Sequence, residues 1–133
     1  MTNLIAYVAT LVVFLGIDFV WLSYVARNFY FERISHLMAD SPNFAAAGVF
    51  YLFYVVGIVY FAVLPALKAG SVMPAVISGA LLGLLAYGTY DMTNYATLKD
   101  WPVSVAIVDM IWGATLTATA AAAGFYITRM VTS

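Results

Sequence analysis

A chain of 133 residues that is 65% hydrophobic and only 8% charged excludes a water-soluble domain, because a fold this small cannot hide so much apolar surface. A formal net charge of -1 leaves no basic footprint for nucleic acid. The lack of cysteine removes disulfides, thiolate metal sites and thiol catalysis.

The first apolar run covers residues 4–26, broken only by Asp18 and small polar side chains. No basic segment precedes it, and it outlasts a signal peptide, so it reads as a retained transmembrane helix. In the connection that follows, Phe29, Ile34, Leu37 and Met38 alternate with Glu32, Arg33 and His36. That pattern predicts a short amphipathic helix on the membrane surface, or an extension of the first span. Asp40-Ser41-Pro42-Asn43 is a turn and helix-start cluster for the second span, residues 44–67. Lys68-Ala69-Gly70-Ser71 closes that uncharged span and opens a tight hairpin. The third span covers residues 72–98, with Pro74 near its first turn, where the missing N–H costs little. Lys99-Asp100-Trp101-Pro102 leads to the fourth span, residues 103–128, and places Trp101 for the headgroup zone.

Short links make neighbouring helices antiparallel. The expected architecture is therefore an all-α, four-helix transmembrane bundle running up-down-up-down, a single domain over residues 1–133, with an interfacial amphipathic helix between the first two spans. Arg27, Arg33 and Lys99 share one face; Lys68, Arg129 and the amino terminus share the other. The balance narrowly favours cytoplasmic first and third loops.

Three carboxylates lie inside the spans: Asp18, Asp91 and Asp109. A charge at that depth is costly and marks a functional pathway or a polar network inside the bundle. At about 1.5 Å of rise per residue, they lie roughly 13, 12 and 10 Å below the first-loop face. All three share one half of the bilayer. Three carboxylates at one level repel if all are ionised, so at least one is expected to keep its proton.

The first and fourth spans both carry D-x-x-W: Asp18 to Trp21, and Asp109 to Trp112. Residues three apart share a helix face. In an antiparallel pair, Trp21 comes level with Asp109 and Trp112 with Asp18. Two crossed hydrogen bonds are expected, each from an indole N–H to a carboxylate. On the third span Tyr87, Asp91 and Asn94 point together, flanked by Tyr90, Thr93 and Thr97. Tyr87, Tyr90 and Asn94 are the expected donors to Asp91.

Arg27, Arg33, His36 and Lys99 form a basic rim above these acids. Arg27 and Lys99 are the expected headgroup contacts, since long basic side chains reach the interface or fold inward. The whole would be a polar pocket within one leaflet, suited to an amphipathic lipid. Each aspartate also has a structural reading, as a hydrogen-bonded staple between helices. His36 reads as a solvated polar residue; no ligand spacing supports a metal site, and no cofactor is expected. Gly79 and Gly83, and the small residues from Ala118 to Gly124, permit close helix approach within the bundle or, as an alternative, in a homo-oligomer.

Several stretches resemble a family of short bacterial membrane proteins catalogued as domain of unknown function 2177. They are Gly16-Ile17-Asp18-Phe19-Val20-Trp21-Leu22, Val25 to Tyr30, Phe50 to Gly57, Tyr90 to Pro102, and Val108 to Gly113. The resemblance implies a multi-pass, four-helix protein of the bacterial inner membrane. It carries no catalytic assignment.

Three functions compete. In the first, the protein is a membrane enzyme, or an accessory to one, acting on a lipid or isoprenoid. Asp91 is then the acid–base or proton site, with Asp18 and Asp109 as positioning acids. In the second it is a small proton-coupled transporter or binding protein using Asp91. In the third it is a structural subunit whose Asp–Trp pairs only hold the bundle together.

Overall fold

The computed structural model describes residues 1–132. Among these the chain is nearly all helical and contains no strand. Helix α1 spans Thr2–Val25, α2 Arg27–Ile34, α3 Phe44–Ala69, α4 Met73–Thr97 and α5 Val103–Thr132. All but α2 are long and apolar enough to cross a membrane. Their bounds fall within a few residues of the expected spans.

Local chemistry explains the ends. Asn43 caps α3 by accepting from the Ala46 N–H at 3.0 Å. Gly70, at φ 70°, stops α3 in the left-handed conformation that glycine adopts without strain. Pro74 sits in the first turn of α4. Two stretches widen into π-turns, Trp21–Val25 in α1 and Val59–Val63 in α3.

Helix α5 is the hub, packing most extensively on α4 and next on α1. Small residues make the α4–α5 seam possible. An added Cβ at Gly79 would lie 3.0 Å from the Ala118 Cα, and one at Gly83 would strike the Gly113 backbone. The glycine pair in α4 is thus spent inside the bundle. On the other side of α5, the Thr10 hydroxyl of α1 fills the space over Gly124. Contacts climb one helix as they descend the other. Thr10 meets Gly124 and Asp18 meets Trp112; Gly79 meets Ala118, while Gly88 lies near Met110. Phe14, Val55, Ile58, Ala62, Leu116, Ala120 and Phe125 fill the core between these seams.

The start of α3 behaves differently. Residues 44–50 are all exposed, whereas Val55, Ile58, Ala62 and Ala66 are fully buried. Contact with α4 comes chiefly through the π-turn Val59–Val63. The first turns of α3 therefore stand apart from α4 and leave a gap between them. Helix α2 buries one residue, Tyr30, while Phe31, Leu37 and Met38 remain exposed. Of the expected apolar face, Phe29 and Ile34 pack beside Tyr30, while Leu37 and Met38 lie beyond the end of α2 and are exposed.

Candidate functional site

The gap beside α3 is a cleft of about 860 Å³. Its walls are Leu22, Phe31, Ile34, Met38, Ala47, Phe50, Ala86 and Val105. Its polar lining is Asp18, Arg27, Tyr30, Tyr51, Tyr87, Thr89, Tyr90, Trp101, Asp109 and Trp112. Every long helix contributes, so the site exists only once the bundle has assembled.

Asp18, Asp91 and Asp109 do converge at one end of the bundle, although each is held differently. Asp18 is buried and accepts two hydrogen bonds. The Trp112 indole donates to its Oδ1 at 3.1 Å, and the Tyr51 hydroxyl donates to its Oδ2 at 3.1 Å. One of the two expected Asp–Trp bonds therefore forms. The other is relayed: Trp21 donates to the Tyr30 hydroxyl at 3.2 Å, and Tyr30 donates to Asp109 Oδ1 at 2.8 Å. The reason is that the two indoles stack face to face, with centroids 4.1 Å apart and planes 7° from parallel. Stacking holds Trp21 back from Asp109, and α2 brings in Tyr30 to bridge the distance. Burial, and next the Asp109 charge, push the Tyr30 phenol above its ordinary range, so it remains a donor at every working pH.

Asp91 departs furthest from expectation. It is fully buried, and neither carboxyl oxygen has a hydrogen-bond donor. Tyr87 does not serve it, because its ring occupies the space left by Gly113 and packs edge-on to Tyr54. Asn94 lies beside Tyr90 instead. The neighbours of Asp91 are Asp109 and the Trp101 indole. Trp101 is not at the surface; it is 8% exposed and packs with Ala26, Tyr30, Val105 and Ala106. Tyr90 meets it edge-on at 5.5 Å.

The basic rim shrinks to Arg27, the cation that lines the cleft. Lys99 lies beyond the end of α4 at Thr97, exposed in the turn, and is not part of the lining. Arg33 folds onto the Phe29 ring at 4.1 Å, and His36 lies 3.8 Å from Asp100. Sequence reasoning missed Tyr30 and Tyr51 as site residues. Their signal was faint: tyrosines at the start of α2 and α3 look like interfacial aromatics. Among the described residues, no three of His, Cys, Asp or Glu come together in a way that could hold a metal ion.

The Asp18 bonds have a measurable worth. Trp112→Phe leaves one Asp18 oxygen without its donor and should lower stability by about 1 kcal/mol or more in detergent unfolding. Trp21→Phe should cost a similar amount through the Tyr30 relay. Unchanged unfolding in both variants would contradict this network.

Four long apolar helices around an enclosed acidic network define a multi-pass membrane protein. No curated protein and no solved structure matches the chain. The model of the family described as "Predicted membrane protein (DUF2177)" matches residues 3–126, and the chain belongs to that family.

Proposed function

We propose that this protein binds an amphipathic lipid in the cleft, as a lipid- or isoprenoid-modifying enzyme or as an accessory to one. The observation that carries the reading is the cleft itself: apolar walls, a carboxylate-bearing inner end, and a side gap between the start of α3 and α4. Its volume is in the range of pockets that hold small organic ligands, so it would take a headgroup and the first part of a chain. The remaining tail would lie along the exposed aromatics Phe50 and Phe53. Arg27 would contact an anionic group. Asp109, half-buried and on the lining, would accept from a hydroxyl or amine. Asp18 has both oxygens engaged, which supports a positioning role.

The bundle would sit up-down-up-down as one domain in a bacterial inner membrane, with α2 at the interface and the first and third loops cytoplasmic. The opposed order of contacts along α1–α5 and α4–α5 supports the alternation. A transporter is less well supported. All lining residues belong to the α2 end, while Ala120, Ala121, Gly124 and Phe125 are packed at the other.

Mass spectrometry of the full chain purified in mild detergent tests the reading. The wild type should retain a co-purifying amphipathic lipid. Ala86→Trp, which fills the cleft, should lose it, and Phe61→Trp, on the exposed surface outside the lining, should keep it. Arg27→Ala should weaken retention about tenfold, the worth of one hydrogen bond to a charged group. Equal lipid content in wild type and Ala86→Trp would sink the proposal.

A further inference from the structure

Asp91 is the one intramembrane acid that the lipid reading leaves without work. It does not line the cleft, and it is sealed from solvent. Its position follows from helix register. Tyr87 packs onto Gly113 across the α4–α5 seam. One turn further along each helix, in opposite directions, stand Asp91 and Asp109. Their carboxyls meet there, and the partnerless Trp101 N–H lies beside Asp91.

Two carboxylates in contact cannot both be ionised where nothing neutralises them. Among the described residues, the contacts between basic and acidic side chains are Arg33 with Glu32 and His36 with Asp100; neither touches this site, and Arg27, on the cleft lining, makes no ion pair. A carboxylate only accepts, whereas a carboxylic acid also donates. Asp109 already accepts from Tyr30 at 2.8 Å, while Asp91 has no donor at all. The order of the chain follows: Asp91 donates to Asp109, which also receives Tyr30, which receives Trp21.

We infer that Asp91 and Asp109 form a hydrogen-bonded pair holding a single proton, with Asp109 facing the cleft and Asp91 storing the proton behind it. A basic oxygen of a ligand at Asp109 draws that proton. The Asp91 O–H bond breaks as an Asp109 O–H bond forms, and the proton then passes to the ligand and returns when the ligand leaves. Asp91 touches no ligand, so it is a proton-storing, positioning residue.

Infrared spectroscopy of the full chain in detergent, with aspartate carboxyls isotopically labelled, reads the proton directly. No lipid is added, so the outcome is separate from that of the lipid-binding test. The wild type should show the carbonyl stretch of a protonated aspartic acid, and this band should shift in heavy water. Asp91→Asn should abolish the band while keeping the melting temperature, because an amide still donates to Asp109. Asp18→Asn should leave the band in place. Tyr30→Phe should shift it, because Asp109 then loses the hydrogen bond that Tyr30 donates beside the shared proton. Absence of the band in the wild type, its survival in Asp91→Asn, its loss in Asp18→Asn, or an unshifted band in Tyr30→Phe would each overturn the inference.

Discussion

Gly83→Val is expected to be the most damaging single substitution in this chain, costing about 3 kcal/mol or more. A Cβ at this position falls on the Gly113 carbonyl and within 2.8 Å of the Thr117 hydroxyl. The obstacle is helix backbone, which cannot rotate aside as a flexible side chain would. Helices α4 and α5 would have to separate. In lipid that separation is expensive, since close van der Waals contact takes over the role that water exclusion plays in soluble cores. It would also disturb the 2.8 Å hydrogen bond between Tyr54 and Thr117. Unfolding in a denaturing detergent series checks this. Gly48→Val is the control: a Cβ there meets nothing within 4 Å, so its effect should stay within about 0.5 kcal/mol. Equal behaviour of the two variants would mean that the seam is not where the bundle is held.

Tyr30→Phe should come next, at about 2 kcal/mol. Losing one oxygen leaves the Trp21 N–H without an acceptor and Asp109 Oδ1 without a donor. It also removes the hydrogen bonds that tie α2 to α1 and α5, leaving α2 held by the packing of the ring and its neighbours Phe29 and Ile34. Tyr24→Phe removes an equal hydroxyl from a side chain that is 76% exposed and should change little. Thermal melting of both variants in detergent distinguishes a structural relay from a chance contact. The relay is wrong if the two melt alike.

The spans were legible because lipid imposes one rule, about 20 consecutive apolar residues per crossing, and Gly70, Pro74 and Asn43 punctuate them in the usual way. Rise per residue put the three aspartates at one depth, but that they face one another depends on how the helices pack. Partnering was less legible. Helical spacing put Tyr87 and Asn94 on the same face as Asp91, but a shared face does not specify where a long side chain ends. Gly113 offered Tyr87 a slot on the neighbouring helix that only the packed structure reveals. Trp101 looked interfacial from its place beside Pro102, yet it turns inward to pack with Ala26, Tyr30, Val105 and Ala106. The D-x-x-W repeat correctly joined Asp18 to Trp112. It failed for Trp21 and Asp109 because stacked indoles and a tyrosine from a different helix lie outside any one-dimensional spacing argument.

The wide turn Val59–Val63 also bears on how the protein behaves. It lies just before Pro65, whose ring lacks an N–H, and on the side of α3 away from its exposed beginning. Kinks in helices gather at such features. If the cleft takes the proposed lipid, entry from the side would depend on backbone pairing at this turn. Under that proposal, the packed turn Val59–Val63 would act as the post, and the exposed front of α3 as the leaf that hangs from it.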